Sequence, residues 1–112
     1  MTYSIIRAGS HPNAEALYEQ AIARLDDGCP EDAVHLFRSA VTVDPSHARA
    51  WNDLGVLMEA LENHHDARSC YQAALEADPG LAEARSNLCM LTLAMDLERA
   101  LRSQPCKTRL AF

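Results

Sequence analysis

Between Ala48 and Leu61 the apolar side chains Trp51, Leu54, Val56, Leu57, Met58 and Leu61 recur at helical spacing. They predict an amphipathic helix over roughly 48–61. The pattern then breaks at Glu62, Asn63, His64 and His65, which read as a turn. Ala67, Tyr71, Ala74 and Leu75 resume an apolar stripe, predicting a second helix over about 65–77. Pro79 has no backbone N–H to give and disfavours helix at Asp78, so it ends that helix. Gly55 and Ala67 lack bulk, which lets the two helices approach where they cross, while Trp51 and Tyr71 fill the wider space beside the crossing.

Sliding the chain against itself by thirty-four residues aligns Ala14 with Ala48 and Ala82, and Ala16 with Ala50 and Ala84. The same shift pairs Ala33 with Ala67, Phe37 with Tyr71, Ala40 with Ala74, and Asp44-Pro45 with Asp78-Pro79. A period of this size marks a solenoid, in which each helical hairpin cannot bury its apolar face alone and must stack on its neighbours.

At these residues the chain resembles the tetratricopeptide repeat family, with Trp51, Leu54, Gly55, Ala67, Tyr71, Ala74 and Pro79 in phase and Met58 where the family usually has Tyr. The repeat 14–47 keeps Leu17, Ala21, Ala33, Phe37, Ala40 and Pro45 but carries Gln20 and Arg24 at usually buried positions, as an exposed first hairpin would. From Ala82, Leu88 and Cys89 hold the phase while the second-helix pattern is lost; Asp96–Gln104 reads as a shortened closing helix stopped by Pro105. The resemblance implies an all-α, right-handed α-solenoid of antiparallel helical hairpins. Its expected organisation is an N-terminal segment 1–13, a helical domain 14–104 and a basic tail 105–112, the domain comprising repeats 14–47 and 48–81 with a partial repeat and cap 82–104. About three repeats are usually needed for a stable solenoid, so self-association would help.

Composition narrows the function classes. The 112 residues have room for one domain, and 48% hydrophobic content argues for a packed core. A net charge of −6 makes nonspecific attraction to nucleic acid unfavourable, because that requires a basic surface. No apolar run is long enough for a signal-peptide core or a membrane span, so a cytoplasmic protein with no membrane partner is expected. Cys29, Cys70, Cys89 and Cys106 are scattered through helical text without a close pair, which fits reduced thiols.

Candidate chemistry is sparse. His64-His65-Asp66, with Glu62 and Cys70 nearby, is the most tempting metal cluster, but adjacent residues point apart and no two histidines stand four apart on a helix face. The cluster reads as a solvated interhelical turn. His11, His35 and His47 are isolated. Cys70 and Cys89 read as packed thiols, Cys89 at a helix crossing, and Cys29 and Cys106 as more exposed; neither Cys29 nor Cys106 has a nearby His or clear base, so nucleophilic catalysis is not expected. No glycine-rich phosphate loop is present. No enzyme activity, cofactor or metal is expected.

What remains is a surface. The resemblance implies that first helices line a concave face, whose ligand-facing positions here are Tyr18, Glu19, Ile22 and Leu25 in the first hairpin, with Glu15 and Asp26 beside them. The second hairpin gives Arg49, Asn52, Asp53, Val56 and Glu59, with Ala60; the third gives Glu83, Asn87 and Met90, with Ser86, Leu93 and Ala94. Ile22, Val56 and Met90 stand one repeat apart and are expected to form an apolar strip flanked by carboxylates and one arginine, suited to a protein or peptide with apolar anchors and basic flanks. The alternative is that they only finish the packing between neighbouring first helices. A carboxylate clamp for acidic chaperone tails, another use of this family, is rejected, since Tyr18, Ile22, Asp53, Glu83 and Asn87 supply no cation there. Residues 97–112 carry four basic side chains against Glu98, whereas residues 1–96 carry six basic and fifteen acidic ones, so docking of the basic tail into this groove, its own or a neighbour's, is a further expectation. The reading is a noncatalytic adaptor or scaffold; the alternatives are an accessory or regulatory subunit of an enzyme complex, or a homo-oligomeric structural scaffold.

Overall fold

The computed structural model describes residues 12–103. Among them it has five helices and no strand: α1 (Pro12–Asp26), α2 (Pro30–Val43), α3 (Ala48–Ala60), α4 (His64–Ala77) and α5 (Ala82–Ser103). α1 packs on α2 and α3 on α4 as hairpins; α2 against α3 joins the hairpins, and α5 lies on α4 with a smaller contact to α3. The result is an all-α solenoid, as the thirty-four-residue period requires. His11, Pro105, Cys106 and the docking of the tail lie outside the described residues.

Both hairpin turns close in the same way. Gly28, at φ 81°, donates its N–H to the carbonyl of Leu25, and Cys29 donates to Arg24. One repeat later Glu62, at φ 64°, donates to Glu59 and Asn63 donates to Met58. This paired bonding around a left-handed residue satisfies the last carbonyls of the first helix. Glu62 holds that conformation without glycine's freedom, at a cost of about 1–2 kcal/mol. The tempting trio beyond it is the start of α4 rather than a turn: His64 opens the helix, and Asp66 sits in the first turn, where a carboxylate suits the helix dipole and accepts from the Asn63 side chain at 2.8 Å.

The recurring Asp-Pro has a larger job than stopping a helix. Asp44 and Asp78 both take extended backbone, as a residue before proline must, and donate their N–H groups back to Ala40 and Ala74. Each then turns the chain: the Asp44 carboxylate accepts from the backbone of Ser46 at 3.1 Å, and that of Asp78 from Gly80 at 3.1 Å. The proline carbonyls are used as well. Trp51 Nε1 donates to Pro45 at 2.8 Å, and one repeat on Arg85 donates to Pro79 at 2.9 Å. Trp51 is thus half-buried and tied to the junction.

In the core, Phe37 and Tyr71 are fully buried, and Leu91 supplies the contribution of α5. The close approach at Gly55 is made to an aromatic ring and not by small residues meeting. A Cβ at Gly55 would stand 2.6 Å from Tyr71 Cε1.

The third unit differs from expectation. Residues 82–103 form one 22-residue helix, with no break before Asp96. Asp96 occupies the register of Gly28 and Glu62, yet the helix runs through it. Leu97, Glu98, Arg99, Ala100 and Leu101 are good helix formers, and the ion pairs Asp96–Arg99 at 3.3 Å and Glu98–Arg102 at 3.6 Å are spaced for a helix surface. From Asp96 to Ser103 every residue is exposed.

Gly55→Ala should lower stability by about 1–3 kcal/mol, because a fully buried ring has nowhere to move. Urea denaturation measures the loss, and on a Tyr71→Leu background the same substitution should cost much less.

Candidate functional site

Three first helices are laid side by side by hydrogen bonds between positions thirty-five residues apart. Tyr18 Oη on α1 donates to Asp53 Oδ2 on α3 at 2.8 Å, and Asn87 Nδ2 on α5 donates to Asn52 Oδ1 on α3 at 3.0 Å. Asn52 and Asp53 are neighbours, so the two rungs form one polar line across α1, α3 and α5. Beside it, His47 caps α3: its Nδ1 accepts from the N–H of Ala50 at 3.2 Å, while Nε2 meets Glu15 Oε1 at 3.0 Å. The imidazole also lies 4.9 Å from the Tyr18 ring. An isolated histidine in the sequence therefore serves as a cap and a strut between hairpins.

The expected ligand-facing residues divide into three groups. Glu19, Arg49, Val56, Glu83 and Met90 are exposed, Val56 by 45% and Met90 by 67%. Tyr18, Asp53, Glu59 and Asn87 are half-buried, and each has a side-chain partner, Glu59 accepting from Tyr71 Oη at 2.8 Å. Ile22 and Leu25 are half-buried against the core, and Asn52 is 3% exposed with its amide engaged. Asn52 therefore braces the helices and is closed to solvent, and of the expected apolar strip Val56 and Met90 are exposed. The sequence pattern could not separate these groups, because all lie on one helical face and only the neighbouring helix decides which are covered.

The electrostatics follow from this packing. Burial, and then the hydrogen bond to Asp53, push the Tyr18 phenol above its ordinary value. Arg49 is held more firmly charged by Tyr18, with Asp53 and Glu83 also contributing. Burial and the Glu59 carboxylate push Tyr71 far above its ordinary 10.0. Burial also raises the Cys70 thiol to about 11. Cys89 departs from its expectation. It occupies the register of Gly55, but no second helix crosses α5 among the described residues, and its thiol is exposed. Cys29 is half-buried, not open.

No group of three or more His, Cys, Asp or Glu side chains that could hold a metal occurs among the described residues. No helix among them is long and apolar enough to cross a membrane. Open clefts lie elsewhere: one of about 430 Å³ is bounded by Gln20, Arg24, Asp32 and His35 on the outer side of the first hairpin. Another of about 440 Å³ lies between His64, His65 and the polar side of α5.

A family model for the tetratricopeptide repeat matches residues 18–82. The chain belongs to the tetratricopeptide repeat family. Solved structures agree on the fold. MamA superposes with a TM-score of 0.69 at 25% identity, covering 75% of this chain and 49% of that one, so the chain spans about half of MamA. A tetratricopeptide repeat domain protein from Salinibacter ruber gives 0.66 at 24% identity, over 70% of this chain and 94% of that one. The second such domain of Spaghetti (RPAP3), bound to the HSP90 peptide SRMEEVD, gives 0.71 at 14% identity, over 81% and 85%. In tetratricopeptide terms, α1, α3 and α5 are the first helices of successive repeats, and α5 lacks a second helix across it among the described residues.

Two outcomes test this picture. The Tyr71 phenol is favoured in its protonated form by folding, so its contribution is complete below the ordinary phenol range and is lost as pH rises. The unfolded chain releases that proton first; urea midpoints should fall as pH climbs above about 10, and Tyr71→Phe should flatten the fall. In the folded chain at about pH 8, iodoacetamide should label Cys89 and leave Cys70 unmodified, as tryptic mass spectrometry would show.

Proposed function

We propose that the chain is a noncatalytic adaptor that holds an extended peptide or helix of another protein across α1, α3 and α5. The observation that carries this reading is the pair Val56 and Met90, exposed one repeat apart on adjacent first helices that the Tyr18–Asp53 and Asn87–Asn52 bonds hold in register. Their apolar side chains provide anchors; Glu19, Asp53, Glu59 and Glu83 surround them with negative charge, relieved by Arg49. Apolar anchors give the affinity, and the carboxylates select a ligand with basic flanks. The setting proposed is the cytoplasm, where Cys29, Cys70 and Cys89 remain thiols.

The peptide-bound RPAP3 domain supports peptide capture as a use of this fold, but its acidic ligand is a poor guide to charge here. Asp53 and Glu83 stand where a cationic clamp would have to be, and the Tyr18 hydroxyl is already given to Asp53. Fluorescence anisotropy with labelled peptides tests both halves of the reading. A peptide with leucine anchors and lysine flanks should bind more tightly than SRMEEVD, and a preference for SRMEEVD would overturn the charge selection. Val56→Ser with Met90→Ser should weaken capture by about tenfold or more without shifting the melting temperature. A lower melting temperature would instead assign both residues to packing.

A further inference from the structure

We propose that the overhanging half of α5 is a seam for a second copy of this chain, the two helices lying antiparallel about a two-fold axis near Leu97. α5 has 22 residues against 13–15 in the other helices, and its last residue half-buried against the body is Met95. Beyond it two turns are exposed, with Glu98, Arg99 and Arg102 across a cleft from His64 and His65. On the side away from Leu88, Leu91 and Met95 runs a bare apolar stripe: Leu93 is 63% exposed, Leu97 60% and Leu101 62%, with Met90 at 67% where the stripe meets the body. These recur at the spacing of a helix–helix seam, and Ala94 and Ala100 between them leave room for a second helix to come close. Together they offer on the order of 400 Å² of continuous apolar surface, as much as a typical monomer's largest patch.

Charge points to a second copy as the occupant, and to its direction. The charged side chains of the overhang are neutralised within the helix by Asp96–Arg99 and Glu98–Arg102, so two overhangs meet without net charge. Residues 1–96 carry fifteen acidic and six basic side chains. A parallel pairing would set two such acidic bodies side by side; an antiparallel pairing sends them to opposite ends. With the axis at Leu97, Leu93 meets Leu101 of the partner subunit, and the contact is self-complementary as a two-fold demands. Pairing about two heptads buries roughly 1,000 Å² in total, the low end of specific interfaces, so the dimer is weak and concentration-dependent.

Sedimentation equilibrium on the full chain, from about 1 µM to about 500 µM, tests this. The mass should rise from 12.3 kDa towards twice that value. Leu97→Lys with Leu101→Lys should stay monomeric throughout with an unchanged melting temperature, since neither side chain reaches the core. Both lie outside the peptide-binding positions proposed above, so peptide capture should survive in that variant. A wild-type chain that stays monomeric, or a variant that still dimerises, overturns the proposal. Removing residues 104–112 should leave the association unchanged; a dimer that appears only after their removal would show that the tail covers the stripe, and also overturns it.

Discussion

The ring of Tyr71 rests on the bare Cα of Gly55, and the second hairpin is built around that contact. One helix gives up a side chain so that the other can place a whole aromatic ring inside the crossing. The ring in turn sends its hydroxyl to Glu59, which fixes a carboxylate at the edge of the exposed face. A packing requirement deep in the hairpin thereby sets the position of a charged group at its surface. The first hairpin meets the same requirement with Ala21 and Phe37, both fully buried.

Stacking of the hairpins uses polar bonds as well as apolar burial. Asp44 and Asp78 turn the chain with their carboxylates, and Pro45 and Pro79 offer their carbonyls to Trp51 and Arg85. Two different side chains thus do one job in successive repeats, because the job needs only an N–H at the right reach. Across the first helices the line Tyr18, Asp53, Asn52, Asn87 spends four polar side chains on register. On the same face Val56, Met90 and Leu93 remain exposed.

Among the described residues α5 is the same first helix without a second helix of its own repeat, and several of its properties follow from that. Cys89 is exposed where Gly55, in the same register, is buried under the Tyr71 ring. The register of the hairpin turn falls on Asp96, and with strong helix formers after it the chain has no reason to reverse. An isolated helix of two turns is marginal in water. Here it is supported by its ion pairs on one side and exposes leucines on the other, which makes it the part of the molecule most in need of a neighbour.

The sequence by itself determined the helices, their hairpin pairing and the family. Gly55, Tyr71, the Asp-Pro pairs and the stripes at helical spacing are local requirements repeated thirty-four residues apart, and repetition makes them readable. It also marked one face of α1, α3 and α5, of which Val56 and Met90 are exposed. Only the tertiary structure decided which residues of that face are available. Asn52 is sealed and Val56 is open although they stand about one turn apart, because Asn52 is bonded to Asn87 on the adjacent helix while Val56 keeps 45% of its surface exposed. The bond between His47 and Glu15 and the exposed Cys89 were likewise set by which helices pack among the described residues, and burial by a neighbour distant in sequence leaves no periodic mark in the residues it covers.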